Sequence, residues 1–279
     1  MITINGKPLD KDFIFPGGEV QIRLPKLDIR TDDKYILVNA KLDSSDEIMK
    51  LLLVSDALNF YYPQSPKILK CHYLPYARQD RRCMPYEAYS VDVIIQLLDK
   101  MTCFNKIEIV DPHCGAYLFP PSKFDIITKF EIFKNNSWIF DLNTSYNNEE
   151  VVFVAPDKGA EKEVRDLANY FGKKIIVANK VRDPDTGRIS SIEIVEGKEN
   201  IKGNYLLVID DICDGGGTFV LLAEQLKEAN FLELYVSHGI FSQGLDKLSE
   251  HYGSILTTNS LNNASDYRSH GYGIGIIIL

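Results

Sequence analysis

This sequence predicts two doubly wound α/β domains with mainly parallel sheets, and three observations lead there. Short aliphatic runs bounded by turn residues read as strands buried on both faces. Segments with apolar residues at helical spacing follow most of these runs. The alternation recurs in outline, though not in letters, in both halves of the 279-residue chain, as βα units on an open sheet require. The length suits two domains of ordinary size. A polar, Asn-rich stretch from 124 to 148, which holds the single tryptophan, Trp138, places the division between residues 1–145 and 146–279.

Taken in order, residues 1–24 alternate as short strands would, broken by the turn sequence Phe13-Ile14-Phe15-Pro16-Gly17-Gly18-Glu19. A strand is expected at 35–38. Ser44-Ser45-Asp46-Glu47 then opens a helix that turns Leu51, Leu52 and Leu58 to the core. The strand at 67–74 runs into Pro75-Tyr76-Ala77-Arg78-Gln79-Asp80-Arg81-Arg82. A charge run is ordinarily a solvated face, but one just past a strand's carboxyl end lies where ligands of α/β sheets bind. Guanidinium groups hold polyphosphate bidentately, and glutamine offers the donor–acceptor pair of a purine edge. A helix at 90–101 precedes a strand at 106–110, which ends in Asp111-Pro112-His113.

In the second half a strand at 151–155 ends in Pro156-Asp157-Lys158-Gly159-Ala160, ahead of a helix bearing Val164, Leu167 and Ala168. The strand at 174–178 is followed by a polar loop, 179–188, in which Lys180, Arg182 and Arg188 would deliver positive charge if it closed on a site. Strands at 192–195, 234–241, 254–259 and 273–279 complete the pattern.

The most informative stretch runs from Leu206 to Thr218. Four aliphatics form a buried strand, Asp210 and Asp211 close it, and Asp214 leads into Gly215, Gly216, Gly217 and Thr218. Phe219, Leu222, Ala223, Leu226 and Ala229 then recur at helical spacing, so the glycines sit at a strand-to-helix junction. A helix N-terminus presents N–H groups and partial positive charge, and glycines let the backbone close on an anion. Carboxylates repel phosphate but suit a metal ion or sugar hydroxyls. A ribose with a phosphate attached is the combined expectation.

A formal charge of −8 argues against nonspecific binding to nucleic acid or anionic membranes, so a phosphate must be met by local Lys, Arg and N–H groups. Five cysteines, without C-x-x-C spacing, fit reduced thiols in the cytoplasm and no structural zinc. The sequence has neither a signal-peptide core nor an apolar run of membrane-spanning length.

Together these segments make the chain resemble the ribose-phosphate pyrophosphokinase (phosphoribosyl pyrophosphate synthetase) family from about residue 13 to about 260. The likeness rests on Phe-Pro-Gly-Gly-Glu at 15–19, Tyr-Ala-Arg-Gln-Asp at 76–80, Asp-Pro-His at 111–113, Pro-Asp-Lys-Gly-Ala at 156–160, the stretch at 208–218, and His-Gly-Ile-Phe at 238–241. It implies two tandem phosphoribosyltransferase-type domains, the first binding ATP and the second ribose phosphate. It also implies transfer of the β,γ-diphosphoryl group of Mg-ATP to the anomeric hydroxyl of ribose 5-phosphate, leaving AMP, in nucleotide biosynthesis. By the same resemblance Arg78 and Gln79 hold ATP, and Phe15 and Glu19 reach the adenine from a neighbouring subunit, which implies a homodimer or higher homo-oligomer. His113 and Asp157 orient the magnesium-bound phosphates, with His113 also counted among the catalytic and ATP-binding residues. Lys180 and Arg182 match the family's catalytic Lys-x-Arg. Asp210 and Asp211 hold the ribose hydroxyls and a metal ion, and Asp214, Gly215, Gly216, Gly217 and Thr218 cradle the 5-phosphate.

The chain departs from the family pattern at Gly17, at Cys83 and at Gly215, and it ends without the family's terminal helix. Family loops usually read Asp-Thr-x-Gly-Thr, so Gly215 takes one hydroxyl from the cradle and leaves room. An acceptor with a larger 5-substituent, such as ADP-ribose, is the alternative this suggests. A non-catalytic regulatory homologue is a competing class, against which the presence of Lys180, Arg182, His113, Asp157, Asp210 and Asp211 argues.

Overall fold

The computed structural model describes residues 1–27, 34–136, 150–182, 189–261 and 274–279. Within them the chain divides into two compact units, Met1–Thr128 and Lys129–Leu279. No helix among the described residues is long and apolar enough to cross a membrane.

In the first unit β1 (Ile2–Ile4) and β2 (Lys7–Pro8) precede a separate hairpin of β3 (Lys11–Ile14) and β4 (Val20–Arg23). Then come β5 (Ile36–Lys41), α1 (Ser45–Tyr61), β6 (Lys67–Tyr73), α2 (Ser90–Lys100), β7 (Lys106–Val110) and β8 (Phe124–Ile127). The sheet order is β2-β1-β5-β6-β7-β8, parallel from β5 to β8 and antiparallel at the β1 and β2 edge. Ser44 caps α1, its hydroxyl accepting from the Glu47 N–H at 3.3 Å. A period of 3.6 puts Leu51, Val54 and Leu58 on the buried face, so Leu52, expected in the core, is only partly covered. Two lysines finish the helices. Lys67, buried, donates to the carbonyls of Tyr62 and Ser65 at 2.7 and 2.8 Å beyond α1. Lys123 donates to those of Leu98, Asp99 and Thr102 at the end of α2.

The second unit runs α3 (Lys129–Asn135), β9 (Val151–Ala155), α4 (Lys158–Phe171), β10 (Lys174–Arg182), β11 (Ile189–Glu196), β12 (Tyr205–Cys213), α5 (Gly217–Gln225), β13 (Phe231–Gly239), α6 (Asp246–Ser249), β14 (Ser254–Thr258) and β15 (Ile274–Ile277). Its sheet order is β11-β10-β9-β12-β13-β14-β15, parallel throughout except for the β10–β11 pair. From β9 the chain crosses through α4 to β10 on one side; from β12 it crosses through α5 to β13 on the other. The strand order therefore reverses between β9 and β12. Phe219 and Leu222 of α5 share one core cluster with Val154, Val208 and Val236. Elsewhere in this unit Phe133 of α3 meets Tyr235 edge-on at 4.7 Å and Phe153 at 6.3 Å.

Several elements differ from the sequence expectation. The stretch from 124, read as lacking periodicity, begins with β8 and α3, each too short to display a period. Because α3 buries Ile132 and Phe133 in the second unit, the compact units part at 128/129, ahead of the expected 145/146. Residues 137–149, with Trp138, and 183–188, with Arg188, lie outside the described residues. β10 extends to Arg182 and β12 to Cys213. Pairing with β11 and β13 draws in polar residues that had read as loop. α5 stops at Gln225, and Leu226 is buried just past it.

Phe133→Ala is expected to cost about 3–5 kcal/mol, as full truncation of a buried aromatic does, measured as a lower urea midpoint with unchanged slope. An unchanged midpoint would separate α3 from the core of the second unit.

Candidate active site

The carboxyl ends of β9 and β12 carry the acidic residues. Asp210 and Asp211 are consecutive within β12, and their side chains lie close enough to interact. The Asp211 N–H donates to Asp210 Oδ1 at 2.9 Å. Burial and the neighbouring Asp211 push the Asp210 carboxyl well above the ordinary range, while the positive charge of Lys129 works the other way. Lys129 is buried and pairs with Glu163 at 2.8 Å. Burial and the like-charged neighbour thus disfavour the ionised form of Asp210, which a cation or sugar hydroxyls beside it would favour.

Asp157, following β9, caps α4: its Oδ1 accepts from the N–H groups of Gly159 and Ala160 at 2.8 and 3.0 Å. Its Oδ2 pairs with Lys180 Nζ, from the far half of β10, both side chains being about three-quarters covered. Burial opposes the charge on Asp157, yet the hydrogen bond and charge of Lys180, with the two helix N–H groups, hold its pKa below the ordinary value. Arg182 is the last residue of β10.

Between β12 and α5 lies the glycine loop. Gly216 precedes α5 at φ +76°, and a Cβ there would press on Leu248 at 3.3 Å. Gly217 and Thr218 form the first turn of α5. Gly215 is exposed, without a left-handed φ, and a Cβ on it would make an ordinary contact 3.5 Å from Gln243 Cγ. The loop is strapped to the segment after β13. The Cys213 carbonyl accepts from the Ile240 and Phe241 N–H groups at 2.9 and 3.1 Å, and the Asp214 carbonyl accepts from the Ser242 N–H at 3.1 Å. The Ser242 hydroxyl donates to Asp214 Oδ1 at 2.6 Å. Burial, with the charges of Asp210 and Asp214, pushes the Cys213 thiol up to about 12, which leaves it unreactive at neutral pH.

In the first unit the candidate residues follow adjacent strands. Tyr76 after β6 and Asp111 after β7 take left-handed backbone conformations, φ +63° and +35°, uncommon for non-glycine residues and typical of functional turns. Arg78 and Gln79 are exposed past Tyr76, whose carbonyl accepts from the Gln79 N–H at 2.9 Å. His113 is exposed past the buried Asp111. Phe15 and Glu19 stand on the β3–β4 hairpin, outside that sheet. The Phe15 N–H donates to the Glu19 carbonyl at 2.8 Å, and the Phe15 ring is exposed beside Phe13 at 4.9 Å.

Four contributors escaped the sequence reading. Lys50 fastens the hairpin to α1 through Asp12 at 2.8 Å and Glu47 at 3.0 Å; a lysine within a helix reads as solvated. Lys129 lay in the stretch without visible period. Ser242 and Gln243 follow a recognised segment by one residue, and only the fold brings them to the glycine loop. Among the described residues no group of three or more His, Cys, Asp or Glu side chains forms a metal cluster. An ion of the magnesium kind, which keeps several waters and takes one or two carboxylates, does not need one.

Asp157→Asn keeps a good helix cap but loses the pair with Lys180. A lowered folded-state pKa adds stability above the unfolded value, and this is lost as pH falls through the folded value. The variant should therefore be less stable than the parent at neutral pH, with a gap that persists down to the ordinary aspartate value, 3.8, and closes below it. Urea titrations across this range measure it, and a gap independent of pH would contradict it.

Comparison with known proteins agrees with these features. Residues 11–101 match the model of the N-terminal domain of ribose phosphate pyrophosphokinase, and residues 126–253 match that of the phosphoribosyl transferase domain. A ribose-phosphate pyrophosphokinase of Maricaulis maris is 29% identical over 82% of this chain and 71% of its own length. One from Brucella melitensis is 27% identical over 94% and 84%. The crystal structure of phosphoribosylpyrophosphate synthetase from Mycobacterium smegmatis superimposes with a TM-score of 0.76 at 22% identity, covering 96% of this chain and 85% of that one, a likeness of fold. With both domain models matched in tandem order over most of its length, the chain belongs to the ribose-phosphate pyrophosphokinase family and is an enzyme of that type.

Proposed function

We propose that this enzyme transfers the β,γ-diphosphoryl group of ATP, bound with magnesium, to the anomeric hydroxyl of ribose 5-phosphate, giving phosphoribosyl pyrophosphate and AMP. The observation that carries this reading is the unit from Tyr205 to Gln225, an acidic pair joined through a glycine loop to a helix N-terminus, beside the switch in strand order. A helix terminus and glycine backbone receive the 5-phosphate at Asp214 to Thr218. Asp210 and Asp211 accept hydrogen bonds from the ribose hydroxyls and hold the cation, whose charge would favour the ionised form that burial opposes at Asp210. Arg78 and Gln79 bind ATP, with Phe15 and Glu19 serving a neighbouring subunit. His113 and Asp157 order the phosphates.

In phosphoryl-type transfer charge spreads over equatorial oxygens, so positioning and cationic stabilisation carry most of the rate. Magnesium, which Asp210 and Asp211 would hold, would offset the charge of the phosphates. Lys180 and Arg182 bring positive charge at the end of β10. The carboxylate of Asp157 keeps the Lys180 ammonium aimed before substrate arrives.

A second reading, the same transfer to a larger 5-substituted ribose such as ADP-ribose, is favoured by Gly215. Neither its φ nor its surroundings require glycine, so the missing side chain leaves space without relieving strain.

Lys180→Ala should lower turnover by roughly 10²–10³-fold, as removal of a comparable electrostatic stabiliser does, with an unchanged circular dichroism spectrum. Incubation with Mg-ATP and either ribose 5-phosphate or ADP-ribose, followed by chromatography for AMP, reads the activity. No AMP from either acceptor would overturn the function proposed, and full activity in the variant would remove Lys180 from the mechanism.

A further inference from the structure

The glycine loop is poor in side-chain donors. Of residues 214–218 only Thr218 carries a hydroxyl, and the Asp214 carboxylate is already taken by Ser242. The segment that holds Asp214 is itself tightly fixed. Phe241 sits at φ +48° with its ring so close to Gly239 that a Cβ there would clash at 2.2 Å. The Gly244 N–H returns to the Phe241 carbonyl at 2.9 Å, with Gly244 at φ +73°. Two hydrogen bonds from Ser242 to Asp214 bolt this turn onto the loop.

The next residue, Gln243, is exposed, and its Cγ lies 3.5 Å from where a side chain on Gly215 would begin. The stem of its side chain therefore runs beside the position that Gly215 leaves without a side chain. The amide it carries is engaged by none of the described residues. Glutamine brings two N–H donors on a flexible stem, and a donor to a charged phosphate makes one of the stronger hydrogen bonds available.

We propose that Gln243 is a specificity-determining residue of the acceptor site, its side-chain amide donating to the acceptor's 5-phosphate across the space above Gly215. This rests on the acceptor site proposed above. A hydroxyl at 215 would sit close against the phosphate. An amide reaching in from the neighbouring turn can also follow a phosphate that carries a further substituent, which makes Gln243 the residue through which monoester and diester acceptors are told apart.

The test is calorimetric titration of the full chain with ribose 5-phosphate and with ADP-ribose, in the presence of magnesium and α,β-methylene-ATP. For whichever acceptor the parent binds, Gln243→Ala should weaken affinity by ~10-fold or more, as loss of a hydrogen bond to a charged group does. Gln243→Glu, which sets like charge against phosphate, should weaken it further. Affinity for the ATP analogue should stay the same in both variants. Adding Gly215→Thr to Gln243→Ala should recover binding of ribose 5-phosphate but not of ADP-ribose. Parental acceptor affinity in Gln243→Ala would overturn the role of Gln243 and leave the acceptor site standing. A parent that binds the ATP analogue but neither acceptor would overturn both.

Discussion

Two neighbouring parallel strands whose crossovers leave in opposite directions open a crevice at their carboxyl ends that neither crossover helix covers. In the second unit this happens once, between β9 and β12, and the chemistry follows from it. Asp157 follows one of these strands and caps its helix, Asp210 and Asp211 lie near the end of the other, and the glycine loop starts the helix beyond. Lys180 joins from β10, which lies next to β9 for the same topological reason.

Electrostatics then sort these groups into two kinds. At Asp157 the charge is answered within the protein, by Lys180 and two helix N–H groups, and the carboxylate is held ionised. At Asp210 burial and a like-charged neighbour are only partly answered by Lys129. The first arrangement favours the folded state at neutral pH; at the second, burial favours the protonated form, which a bound cation would reverse. An acidic chain with a net charge of −8 can therefore handle anionic substrates without a broad basic surface, because the relevant charges lie in short range of the reaction.

Much of this was legible before any coordinates. Parallel strands buried on both faces leave continuous aliphatic runs, so β9 and the first part of β12 were plain in the letters, and the Asp–Asp–glycine sequence fixed its own place at a strand-to-helix junction. Local runs could not reveal where regular structure continued through polar residues, as it does at Lys180 and at Asp210 to Cys213, because pairing with a distant strand decides that. Nor could they reveal α3, whose seven residues are held by Phe133 against aromatics far along the chain. The contacts of Ser242 and Lys50 are tertiary in the same sense: nothing in their immediate neighbours announces them.

The three adjacent glycines of the loop are not equivalent. Gly216 is fixed by a left-handed backbone and by Leu248 packed against it, whereas Gly215 has an ordinary backbone and room for a side chain. The framework of the proposed anion site and the selectivity proposed for it thus fall at separate positions. A side chain at 215 can therefore be accommodated while the turn at Gly216 survives intact, so that, under the proposed function, acceptor preference could change by a single replacement without loss of the fold.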